Sequence, residues 1–185
     1  MDSPADSRAL VARLARGDTR AFDVVYDRHR APLHAFLVRL TGSASLAEDL
    51  LQETWLRLAR HSRRLPPETQ LRPWLFTVAR NLYRSHRRWA LLDAGRLREL
   101  GWLPVASTPG PFDATVEGEA RRELEQAVGA LPLDQREALL LCTVSGFEPS
   151  EAANILGISA EAARQRLARA RAKLRERLRA LEVMP

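Results

Sequence analysis

The sequence predicts an all-α fold: two small helical domains joined by a flexible linker, the C-terminal one a helix-turn-helix. Three observations predict it. Apolar residues recur at helical spacing in nearly every periodic segment, and no alternating strand pattern stands out. Gly95, Gly101, Pro104, Pro109, Gly110 and Pro111 interrupt the chain between residues 93 and 115, which reads as a linker with a short helical piece around Arg96 to Leu100. Beyond it, a short apolar helix, a glycine and a long basic helix follow one another. The domains are expected at residues 1–92 and 116–185.

In the first domain, Leu10 and Leu14 begin a helix that stops near Gly17. Phe22, Val25 and Tyr26 mark a second. Leu33, Phe36, Leu37 and Leu40 form the next, with Pro32 in its first turn and Thr41-Gly42 at its end. Ser45 is the expected N-cap of a helix from Leu46 to His61 carrying Leu50, Leu51, Trp55 and Leu58. The stretch SRRLPPETQLRP, residues 62–73, is a proline-rich loop, and a helix from about Trp74 to Trp89 follows. After the linker, helical spacing resumes near Val116 with Leu124, Val128 and Leu131, then Leu139, Leu140 and Val144.

Composition narrows the function. The 185 residues are 45% hydrophobic, enough for a packed core, with charges mixed in sign. The net charge is +6 and the pI about 10.7, which points to a polyanionic partner, nucleic acid or an acidic membrane surface. Lys173 is the only lysine, so arginine supplies 28 of the 29 basic groups, and arginine is the better fork for phosphate and guanine edges. Cys142 is a lone cysteine, so no internal disulfide and no zinc site is expected, and a reducing cytosol is the natural compartment. The N-terminus lacks a signal-peptide pattern, and no apolar stretch approaches the roughly 20 residues of a membrane span. His29, His34, His61 and His86 are scattered and form no ligand motif; no metal, cofactor or catalytic set is expected.

The stretch EPSEAANILGIS precedes the basic helix. Pro149 suits a helix start, and Ala152, Ala153, Ile155 and Leu156 give a short apolar face. Gly157 supplies the positive φ of a sharp turn, Ser159 caps the next helix, and Ile158 can pack on Ala163 as a staple. From Ser159 to Leu181 eight basic side chains face two acids, Glu161 and Glu176. At about 100° per residue, Ala163, Leu167, Ala170, Leu174, Leu178 and Leu181 fall on one stripe that faces the core. Glu161, Gln165, Ala168 and Ala172 point the other way, and the small residues at these outermost positions let the helix approach a groove. Arg164 and Gln165, near the helix start, are the expected base readers; Arg166, Arg169 and Arg171 are expected on phosphates or bases. A solvated surface face and a membrane-lying helix are the competing readings, and the absence of interfacial Trp or Phe on the stripe argues against the membrane.

Two clusters stand out in the first domain. In SLAEDLLQETW, Asp49, Gln52 and Glu53 share one helix surface, an acidic patch on a basic protein. Acids complementing the helix dipole would explain Glu48 and Asp49, and Glu53 less well. In LRPWLFTVARNLYRSHRRW, Trp74, Val78 and Leu82 share a face, and Arg80, Asn81, Arg84, Arg87 and Arg88 occupy the others. Aromatics interleaved with arginine and asparagine suit unstacked single-stranded bases. Alternatively, Trp74 and Trp89 belong to the core and the arginines are merely solvated.

The chain resembles the extracytoplasmic function (ECF) group of the sigma-70 family of sigma factors. The resemblance is carried by residues 17–42, AEDLLQETWLRL (47–58), RPWLFTVARN (72–81) with HRR (86–88), LPLDQREALLL (131–141), and ILGIS with RQRLARARAKLR within 155–175. It implies a subunit that directs promoter-specific initiation without catalysis of its own. The first domain would bind core RNA polymerase and the melted minus-10 element, the second the duplex minus-35 element. Asp49, Gln52 and Glu53 match polymerase-contacting positions. Asn81 and Arg80 match the part that opens and holds the minus-10 strand, and Trp74, Arg84, Arg87 and Arg88 lie beside them. The 62–73 loop matches one that shapes a pocket for a flipped base. Arg164, Gln165, Ala168 and Arg169 match minus-35 recognition positions. An anti-sigma protein is an expected partner, bacterial cytoplasm the expected location, and neither membrane insertion nor an obligate homo-oligomer is expected. Two departures bear on promoter sequence: Ser85 stands where the family often has Asp, and Glu161-Ala162-Ala163 replaces a Gly-Thr-Val-like turn. Glu161 would repel phosphate or select a cytosine amino group. Two rival roles are a helix-turn-helix regulator that does not replace the housekeeping factor, and a sigma-like decoy that titrates an anti-sigma protein.

Overall fold

A repeating apolar stripe shapes each helix, and the stripes converge on a core that runs through both halves of the chain. The computed structural model describes residues 4–99 and 116–182, with side chains from 6 to 92 and from 122 to 179. The described residues form eight α-helices and one short 3₁₀ turn. They are α1 (Pro4–Ala15), α2 (Thr19–Thr41), α3 (Ala44–His61), the turn Ser62–Arg64, α4 (Leu71–Glu99), α5 (Val116–Gly129), α6 (Leu133–Thr143), α7 (Pro149–Leu156) and α8 (Ala160–Glu182).

Helix α2 merges the two helices expected on either side of Pro32. Proline forfeits a hydrogen bond and crowds the carbonyl four residues back, so an interior proline is costly. Here the buried stripe Ala21, Val25, His29, Leu33, Phe36, Leu37 and Leu40 keeps its helical period straight through Pro32, and that packing holds the helix together. Asp18 caps α2 by accepting from the Ala21 amide at 3.2 Å. The Asp18 carboxyl also accepts from Arg13, which lowers its pKa. Gly42, with φ of 70°, ends the helix in the left-handed conformation.

Ser43 rather than Ser45 caps α3, accepting from the Leu46 amide at 3.3 Å. The expected cap was two residues late because Ser45 already lies within the first helical turn. Trp55 of α3 is buried against Phe22 and Tyr26 of α2, with ring centroids 6.1 and 5.0 Å apart. Helix α4 starts at Leu71 with Pro73 in its first turn and runs to Glu99, so residues 93–99 of the expected linker are helical. The linker's remainder, 100–115, lies outside the described residues, as does the side chain of Leu181.

The two halves pack on each other. Phe36 of α2 meets Phe76 of α4 at 5.2 Å between centroids, and Phe76 meets Phe147, just before α7, at 4.9 Å and nearly edge-on. Ala138, Leu140, Leu141, Phe147 and Ile155 of the second half thereby join the core of the first. Leu131, Leu139, Leu167 and Ala170 make a second cluster that seats α8 on α6. Each fully buried Leu or Phe contributes about 1.5–3 kcal/mol.

Candidate nucleic-acid interface

Local chemistry builds the helix-turn-helix as its residues predict. Pro149 occupies the first turn of α7, and the Glu148 amide donates to the Glu151 carboxylate at 2.8 Å. Gly157 adopts φ of 68°, and the Ile158 amide reaches back to the Ala153 carbonyl at 3.1 Å. The Ser159 hydroxyl accepts from the Ala162 amide at 3.1 Å and caps α8. Ala163, Leu167 and Ala170 are buried, Leu174 and Leu178 half-buried, and Glu161, Gln165, Ala168 and Ala172 exposed.

At the exposed start of α8, Glu161 organises its neighbours. Arg164 donates to it from Nε at 3.2 Å and from a terminal nitrogen at 3.0 Å, and Gln165 donates at 3.2 Å. These donors, Arg164 first, lower the Glu161 pKa. Arg169 and Arg171 are exposed. Arg166 differs: it is half-buried and lies 3.4 Å from the Asp134 carboxylate of α6.

On α3, Asp49 and Gln52 are exposed, and Glu53 accepts from Arg57 at 3.1 Å. No acid stands in the first turn of α3, so dipole compensation, which fades beyond that turn, does not account for Glu48 and Asp49. Leu56, 48% exposed, adds an apolar surface at the i+3 and i+4 spacing from Glu53 and Gln52. Sequence reasoning passed over it; an apolar residue beside the acidic run was the available signal.

On α4, Trp74 and Val78 pack half-buried against the core, while Trp89 is 61% exposed. Asn81 and Arg88 are exposed and Arg87 half-buried. Arg80 and Arg84 are held by α6. Glu137 of α6 is completely buried, a position that helical spacing shares with the apolar residues around it. Arg80 Nε lies 3.1 Å from Glu137 Oε2 as an ion pair, without the alignment of a hydrogen bond. The Arg80 terminal nitrogen donates to the Ile155 carbonyl at 3.4 Å and to Asn81 Oδ1 at 3.3 Å. Arg84 clasps Glu137 through Nε at 2.8 Å and a terminal nitrogen at 3.0 Å, and it also donates to Asp134. The hydrogen bond with Glu137, then the two acids' charges, raises the Arg84 pKa further. A cleft of about 730 Å³ beside this junction is lined by Asn81, Arg84, Arg87, Arg88, Leu133 and Asp134.

Further bonds join the halves. Arg72 of α4 donates to the Ser145 carbonyl, and its guanidinium stacks 4.1 Å above the Phe147 ring. Arg136 of α6 donates to the Leu40 carbonyl at 3.2 Å and to the carbonyls of Gly129 and Leu131. Burial lowers the Arg136 pKa. Glu137 and Asp134 were not singled out as site residues. A glutamate at a core-facing position of the run Leu133 to Leu141 was the signal that could have found them. Among the described residues no group of three or more His, Cys, Asp or Glu could hold a metal ion, and no described helix is long and apolar enough to cross a membrane.

Two family models match the chain, sigma-70 region 2 over residues 25–90 and sigma-70 region 4 over residues 121–174. The RNA polymerase sigma factor CarQ of Myxococcus xanthus is 38% identical over 174 residues, covering 92% of this chain and 97% of its own length. The ECF RNA polymerase sigma factor EcfG of Rhodopseudomonas palustris is 39% identical over 149 residues, covering 77% of this chain and 76% of its own. Among solved structures, the sigma factor RpoE of Bartonella quintana, in complex with the anti-sigma factor NepR, superposes with a TM-score of 0.67 at 28% identity over 87% of this chain and 96% of RpoE.

Proposed function

The chain belongs to the ECF group of the sigma-70 family, and from that premise we propose that it is a dissociable promoter-specificity subunit of bacterial RNA polymerase. The observation that carries this reading is the order of its parts. One chain holds a region 2 match with an exposed acidic patch and an arginine-asparagine segment, then a region 4 match with a capped basic recognition helix.

In this reading, residues 1–92 bind polymerase and the minus-10 strand, 93–115 connect, and 116–185 bind the minus-35 duplex. Asp49, Gln52 and Glu53 face a basic surface of the polymerase, with Leu56 as a small apolar anchor. Asn81, Arg87, Arg88 and Trp89 are reachable from solvent and suit stacking and phosphate contact with a melted strand. Arg164 and Gln165 read base edges, Ala168 lets the helix approach, and Arg169 and Arg171 take phosphates. Arg80, Arg84 and Arg166 join these contacts once released from α6. The chain carries out no catalysis itself and works in the cytoplasm beside the polymerase. An anti-sigma protein as inhibitor fits the company in which RpoE is found.

The test is permanganate footprinting of promoter fragments with core polymerase and this chain. Thymines near the minus-10 element should become reactive only when both are present. Reactivity that ignores the chain, or protection of duplex DNA by the chain alone without any melting, would replace this reading with that of a regulator.

A further inference from the structure

Three arginines assigned to promoter DNA are already bound, and what binds them is a pair of carboxylates one turn apart. Glu137 takes Arg80 at 3.1 Å and Arg84 at 2.8 and 3.0 Å. Asp134 takes Arg84 and, at 3.4 Å, Arg166. Arg80 and Arg84 stand on the minus-10 segment of α4, whereas Arg166 stands on the recognition helix α8. A carboxylate offers a guanidinium the same forked pair of acceptor oxygens as a phosphate.

We propose that Asp134 and Glu137 form an internal mimic of promoter phosphates, which helps hold the free chain closed by occupying Arg80 and Arg84 of the first DNA-binding surface and Arg166 of the second. The proposal rests on the sigma-factor reading for what the arginines grip. The latch itself rests on the geometry. Glu137 is fully buried and Arg80 only 7% exposed, so neither charge is solvated by water while α7 packs on α4 and the α6 acids reach its arginines. Each is tolerable there because the other is present. Closure also covers the face of α4 that carries Arg80, so a DNA strand and α6 cannot hold it together.

Opening returns charged groups to water, which offsets part of the lost attraction. It also exposes Ala138, Leu140, Leu141, Phe147 and Ile155, which share the first half's core, so the closed state predominates in the free chain. Strand binding then proceeds from the open fraction, and the apparent affinity falls by that fraction. Asp134 is shared between Arg84 and Arg166, so it touches both surfaces at once.

The experiment uses the full chain. Fluorescence anisotropy follows binding of a labelled mixed-sequence single-stranded DNA to wild type, Asp134→Asn, Glu137→Gln and the double variant. Asp23→Asn, an exposed acid on α2, controls for the change in net charge. Native hydrogen exchange over residues 76–84 reads opening without DNA. Asp134→Asn should tighten strand binding on the order of ten-fold and speed exchange in that segment, with Asp23→Asn unchanged in both. Should the fully buried Glu137→Gln lose its cooperative urea transition, the half-exposed Asp134 position carries the test. Equal strand affinity and equal exchange in folded Asp134→Asn and wild type would overturn the latch. Wild-type transcription from a specific promoter alongside that result would overturn the latch alone. Tightened binding with no promoter-dependent transcript from any variant would keep the latch and overturn the sigma reading.

Discussion

Arg80 and Glu137 form an ion pair 3.1 Å apart in which the carboxylate is wholly buried and the guanidinium nearly so, although one belongs to the region 2 half and the other to the region 4 half. Such a pair adds little when intact, yet its loss is severe when one charge is left without the other. Glu137→Ala should therefore lower the unfolding free energy by about 3–5 kcal/mol, measured by urea denaturation followed by circular dichroism. A change within about 0.5 kcal/mol, as for a surface substitution, would mean that the two groups are not paired in solution.

The acidic patch makes a separable prediction. Asp49→Ala combined with Glu53→Ala should weaken binding to core polymerase on the order of ten-fold or more. Binding of duplex minus-35 DNA should stay the same, because α3 lies apart from α8. Parallel loss of both in a titration series would point to a folding defect instead of a lost contact. Leu56→Ala tests the apolar part of the same surface.

Arg164→Ala should cost roughly 1–3 kcal/mol of duplex binding and relax preference at one base pair, read by competition among single-base variants of the minus-35 element. Equal loss on every sequence would make Arg164 a phosphate contact. Since Glu161 holds both Arg164 and Gln165, Glu161→Ala should broaden the preference at the same base pair while helix content is kept.

The two α4 tryptophans should part company. Trp89 is largely exposed, so Trp89→Ala should leave stability within about 0.5 kcal/mol and weaken binding to melted DNA. Trp74 packs against the core, and Trp74→Ala should destabilise by about 1–3 kcal/mol. Urea titrations of the two variants, with anisotropy on a single strand, separate the two roles.

Cys142 is half-buried, and burial raises its thiol pKa, with Arg171 opposing the shift. The thiolate is the reactive form. Alkylation by iodoacetamide should therefore be slower than for an unfolded cysteine at neutral pH, and the gap should narrow as pH rises through the folded thiol's pKa. Because the fold favours the neutral thiol, stability falls as pH climbs from the unfolded pKa to the folded one. Rapid modification of the native chain at pH 7 would contradict this.

The helices, the glycine turn and the cap at Ser159 depend on neighbours in sequence, and local pattern reveals such features well. Pro32 misled because packing of the α2 stripe outweighs a single lost hydrogen bond. Arg80 and Arg84 were expected to face DNA from their company with Asn81, and their pairing with Glu137 was not legible. Those partners lie across the linker, and a pairing between distant segments leaves no periodic trace. Only Glu137, a charge set at an apolar position, hinted that a counter-charge must come from elsewhere.

The most direct test of the central claim is in vitro transcription from a genomic fragment library with bacterial core polymerase, with and without this chain. The account predicts discrete new transcripts whose upstream regions share minus-35 and minus-10 sequences and which vanish with Asp49→Ala and Glu53→Ala. An unchanged transcript pattern with active polymerase from the chain's own host, despite folded protein that binds DNA, would contradict it.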